Sequence, residues 1–163
     1  MQSIRTLTIS AAVLGFALCA SQASAQDKSF KEMVIGAWLI TGTKDVGANG
    51  EARDVWKGQT SGQITFGRTG RFSQILLGPT VASMKGDDPR KPDRLIVAQY
   101  GTYTIDEAGK KINFKLEGAG YSPRANTEGH WTVEGTGDKL TLVGSPRKDN
   151  IGTFSPRLEV RRP

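Results

Sequence analysis

Apolar and polar residues take turns along most of the chain beyond residue 30, and glycine-bearing turn signals separate the alternating runs. Ile64 and Phe66 alternate with polar neighbours up to Arg68-Thr69-Gly70, and residues 72–77 run back, which predicts a hairpin. A second hairpin begins near Leu95. There Tyr103 and Ile105 lead into the turn Asp106-Glu107-Ala108-Gly109, and Ile112, Phe114 and Leu116 follow with Asn113, Lys115 and Glu117 between them. A third pairs residues 129–134 with 139–143 across Gly135-Thr136-Gly137-Asp138, placing Trp131, Val133, Leu140 and Leu142 on one face. Residues 33–43 supply a first strand. Residues 157–162, with Leu158 and Val160 inward, supply the last.

These runs make about eight strands, with room for a short ninth around residues 55–57. Residues 27–32 are expected to form one helical turn. Residues 80–94, which contain Gly86-Asp87-Asp88-Pro89 and Pro92, read as a long loop. An antiparallel sheet of this size exposes aggregation-prone edges unless it closes on itself. The expected fold is therefore all-β, a closed antiparallel up-and-down barrel.

The first residues read differently. Arg5 precedes an apolar stretch from 7 to 20, about 14 residues against the roughly 20 of a spanning helix, and Ala23-Ser24-Ala25 offers the small residues of a cleavage site. Residues 1–25 are thus expected to be an export signal and residues 26–163 the mature domain, periplasmic or secreted, with no stable membrane insertion after cleavage. Taking 25 from 163 leaves 138 residues, the size of one domain. Cys19 is the only cysteine and lies inside the signal; Leu18 before it is too large for a lipobox. A mature chain without cysteine has no disulfide, thiolate zinc site or cysteine nucleophile, so packing must hold it together.

Without Arg5 the 22 basic residues become 21 against 16 acidic ones, a net +5. The positive charges are scattered, and no aromatics are interleaved with them as a nucleic-acid partner would require. Catalytic signatures are also missing. His130 is the only histidine, and it must face outward because its neighbour Trp131 faces in. One histidine builds no metal cluster, and Asp87, Asp88 and Asp93 lack the spacing of a calcium loop. There is no Gly-x-Ser-x-Gly elbow, and most acids fall in turns or on outward positions. Gly118-Ala119-Gly120 reads as a turn or bulge rather than a phosphate cradle, since no helix follows it. No catalytic residue, metal or cofactor is expected.

Several short motifs together resemble the bacterial lipocalin-like domain family. Ile35-Gly36-Ala37-Trp38 carries the Gly-x-Trp of a first strand, and Gly62-Gln63-Ile64-Thr65-Phe66 with Gly70-Arg71-Phe72-Ser73 is similar to the hairpin that follows it. Tyr100-Gly101-Thr102-Tyr103 and Gly137-Asp138-Lys139-Leu140-Thr141-Leu142 resemble later strands, so the likeness runs from about residue 30 to 162. The resemblance implies a small barrel whose interior can hold an apolar ligand. It also implies that Trp38 plugs the closed end beneath an arginine, for which Arg157, Arg161 and Arg162 are the candidates.

Alternation turns Trp38, Ile40, Gln74, Gln99, Tyr103, Phe114, Trp131 and Leu142 inward, an aromatic lining with a few polar groups and the candidate ligand site. The same side chains are also able to fill an eight-stranded interior completely. Two functions follow: carriage of a small apolar molecule in the lumen, or a protein-interaction module, similar to barrel-type protease inhibitors, that acts through the 80–94 loop. An enzyme of cyclase or isomerase type rests on analogy of fold alone. Neither the ligand's identity nor the oligomeric state is written in the pattern.

Overall fold

The computed structural model describes residues 28–54, 56–57, 60–80, 94–148, 150 and 152–163. The export signal expected at 1–25 and nearly all of the loop expected at 80–94 lie outside them.

Ser29 starts the first helix by closing a capping box. Its hydroxyl accepts from the Glu32 amide at 3.2 Å, and its own amide donates to the Glu32 carboxylate at 3.1 Å. The cap fixes helix α1 at Phe30–Val34 rather than at 27–32. Phe30 and Val34, one turn apart, are both buried. The first strand consequently begins at Gly36 and not at residue 33.

Ten strands follow among the described residues: β1 (Gly36–Gly47), β2 (Ala52–Arg53), β3 (Ser61–Phe66), β4 (Arg71–Thr80), β5 (Arg94–Asp106), β6 (Lys111–Ala119), β7 (Glu128–Thr136), β8 (Lys139–Gly144), β9 (Arg147–Lys148) and β10 (Thr153–Arg161). The two-residue strands β2 and β9 only prolong the ribbons of β1 and β10, and the short extra strand falls at 52–53 rather than at 55–57. The other eight pair antiparallel with their neighbours, and β1 pairs with β10, so the sheet closes into an eight-stranded up-and-down barrel. No helix among the described residues is long and apolar enough to cross a membrane.

Register carries the inward face around the ring. Trp38 lies opposite Ile64, Ile64 opposite Gln74, and Gln74 opposite Gln99. Tyr103 faces Phe114, Ile112 faces Trp131, Val133 faces Leu142, and Leu142 faces Leu158. Three irregularities break the period, one of them at the end of β4 between Leu77 and Thr80. In β1 the register shifts between Ile40 and Gly42, so that Thr43 and Asp45, and not residues 42 and 44, follow Trp38 and Ile40 into the interior. In β6 another shift, opposite Tyr100 and Gly101, leaves Glu117 as the extra residue.

The end beneath α1 is closed and densely packed. Phe66 meets Tyr103 edge to face at 5.2 Å, and the packing continues toward the other half, where Phe72 meets Trp131 at 5.5 Å and Phe114 lies 4.1 Å from Trp131. Trp38 is fully buried, and its indole N–H donates to the Val34 carbonyl at 2.8 Å. Of the three candidate arginines, Arg162 covers it. Gly36 is needed here, because its φ is +123° and a Cβ at this position would run into the Arg162 guanidinium.

Candidate ligand-binding site

The opposite end of the barrel is hollow. A cavity of about 530 Å³ opens there, walled by Leu76, Val97, Phe114, Trp131 and Leu158, with Trp56 leaning in from the segment before β3. Gly78 in β4 makes room for that indole, since a Cβ would overlap the Trp56 ring. The interior is thus solid in the half next to α1 and open in the half away from it. Of the eight side chains expected to line a ligand site, Gln74, Gln99, Phe114 and Trp131 border the cavity. Trp38, Ile40, Tyr103 and Leu142 are buried in the packed half, where they support the site without lining it.

The polar floor is a pair of glutamines. Gln99 donates its amide N–H to the Gln74 oxygen at 2.8 Å, and both residues are about 95% buried, at 5% and 4% exposure. Among the described residues the Gln99 Oε1 atom and the Thr43 hydroxyl have no hydrogen-bond partner. Each such buried group costs on the order of 1–3 kcal/mol. Tyr103 escapes this by donating its hydroxyl to the Gly67 carbonyl at 2.8 Å, and its burial raises its pKa above the ordinary phenol value.

The rim is charged. Asp45, turned inward by the β1 bulge and only 3% exposed, sits between two guanidiniums. Arg53 reaches its Oδ2 at 3.1 Å, and Arg147 reaches Oδ1 and Oδ2 at 3.1 and 3.2 Å. Arg53 is held flat by Phe154, whose ring centre lies 3.9 Å from the guanidinium carbon. Arg124 borders the same cavity from the connection between β6 and β7. Burial, and then the charge of Arg147, push its pKa down.

None of Asp45, Arg53, Trp56, Arg124 and Arg147 stands out in the sequence. Strict alternation would have put Asp45 outside, and the other four lie on two-residue strands or irregular connections with no periodic signal. His130 lies on the outer face as alternation requires, in a shallow hollow of about 610 Å³ shared with Thr104 and Asn113, and its Nδ1 is 3.3 Å from the Ser145 hydroxyl. Among the described residues no three His, Cys, Asp or Glu side chains come together as metal ligands would.

No protein-family model matches the chain, and no curated protein is significantly similar to it. Among solved structures, the crystal structure of an uncharacterized protein from Bacteroides eggerthii is similar over 79% of this chain and 99% of that one, with 15% identity and a TM-score of 0.41, a likeness too weak to bear on function.

Proposed function

We propose that the protein is a non-enzymatic carrier that holds a small, largely apolar molecule in the open half of a lipocalin-like barrel. The observation that carries this reading is the cavity itself: about 530 Å³, within the range of roughly 300–1,000 Å³ usual for small-molecule sites, and walled by two tryptophans and a phenylalanine above a glutamine pair. In this reading residues 1–25 export the chain and the carrier works in the periplasm or outside the cell.

Titration with a neutral solvatochromic dye such as Nile red tests it. Saturable emission with one dye per chain is expected, accompanied by a change in tryptophan fluorescence, because Trp56 and Trp131 border the site. Replacing the half-buried Val97 by Phe should lower the dye's affinity while the fold is kept. Absence of saturable binding across a panel of neutral dyes sinks the proposal.

A further inference from the structure

Among the described residues, one charged side chain that borders the cavity stands without a partner. Among the charged side chains that border it, Lys44 is committed to Glu159 at 2.7 Å and Arg157 to Glu134 at 2.8 Å, both on the outer surface. Glu128 lies 3.9 Å from Lys115, also outside. Asp45 is shared by Arg53 and Arg147. What remains is Arg124. Among the described residues its guanidinium makes no ion pair or hydrogen bond, although the residue is half-buried. Arg124 thus borders the aromatic cavity without a partner, and near enough to Arg147 to feel its charge. A partly desolvated, unpaired guanidinium close to a second one is electrostatically costly, and an organic anion seated between them removes that cost.

We propose that the carried molecule is a single-chain organic anion, an apolar body ending in a carboxylate, with its head at the rim on Arg124 and its body among Trp56, Phe114 and Trp131. This rests on the carrier reading and narrows its ligand class. A diacyl phospholipid is too large for the space, so the anion is a free amphiphile. Carboxylate and planar guanidinium meet through two parallel N–H···O bonds, a geometry lysine does not reproduce. Arg124 sits on the short helical turn Ser122–Arg124, and that turn is held by backbone bonds (Arg124 amide to Tyr121 carbonyl at 3.0 Å) rather than by the side chain, so its head group is dispensable for folding.

The test compares decanoate with 1-decanol, matched in chain length and differing in charge, by calorimetry or tryptophan fluorescence on the wild-type chain and on Arg124→Leu and Arg124→Lys. Wild type should bind decanoate about tenfold more tightly than decanol. Arg124→Leu should abolish that preference while leaving the affinity for decanol within about twofold, and Arg124→Lys should retain only part of it. Equal binding of both by the wild type, or an undiminished preference in Arg124→Leu, overturns the assignment of the anion and leaves the carrier standing. If neither compound binds and neutral dyes also fail, both proposals fall.

Discussion

The Arg162 guanidinium lies over the indole of Trp38, 3.9 Å from the ring centre, and donates to the carbonyls of Met33 at 2.6 Å and Ile35 at 3.0 Å. One side chain from just past the last strand thus covers the first strand's tryptophan and ties down the end of α1. Replacing it with alanine removes a cation–π contact and at least two charge-assisted hydrogen bonds. Arg162→Ala should cost about 2–4 kcal/mol in urea unfolding. Hydrogen exchange should show α1 losing protection before the strands do. Unchanged exchange in α1 would mean that the helix is held by Phe30 and Val34 alone.

Asp45 makes a second prediction. It is buried and contacts two guanidiniums, so neutralising it removes the charge-assisted bonds that both make to it. Asp45→Asn should lose on the order of 3 kcal/mol, as is usual for a buried pair deprived of one partner. Denaturation midpoints measure it. A loss below about half a kcal/mol would show that solvent screens the cluster.

The glutamine floor allows a double-mutant cycle. Gln74→Leu strands the Gln99 amide in an apolar setting and should cost about 1–3 kcal/mol, whereas Gln74→Leu with Gln99→Leu removes both polar groups and should lie close to wild type. Additive losses in the double variant would contradict this account.

Tyr103 gives a pH signature. Burial raises its folded-state pKa above the ordinary value of 10.0, so the unfolded chain releases the proton first as pH rises. The folded state then binds more protons than the unfolded one. The contribution of Tyr103 is complete below pH 10.0 and is lost as pH climbs from there through the folded-state pKa. Tyr103→Phe should flatten part of the alkaline fall in stability, although it gives up the bond to Gly67 at neutral pH. Identical slopes above pH 10.0 in the two proteins would refute it.

Much of the barrel was legible because the period-two signal is local. Ile112, Phe114 and Leu116 declare their face without reference to any other strand. The Gly-x-Trp at Gly36 and Trp38 pointed to the closed end, but three arginines near the C-terminus had equal claims on it, and only the register of β10 against β1 picks out Arg162. The helix was misplaced by a few residues because its start depends on the reciprocal bonds of Ser29 and Glu32 and not on hydropathy. At the site, Phe114 and Trp131 were readable and the charged rim was not. Asp45 reaches the interior through a bulge that inserts one residue, and no pattern of residue types announces where a strand will skip a step.

The axial division of the interior separates two burdens that many small proteins place on the same side chains. Trp38, Phe66, Ile112 and Leu142 form a foundation that carries stability and lines no part of the cavity, while the storey above holds the hollow. Substitutions on the cavity wall away from Asp45 and the glutamine pair, as at Leu76 or Val97, can therefore reshape the hollow without undermining what stands beneath.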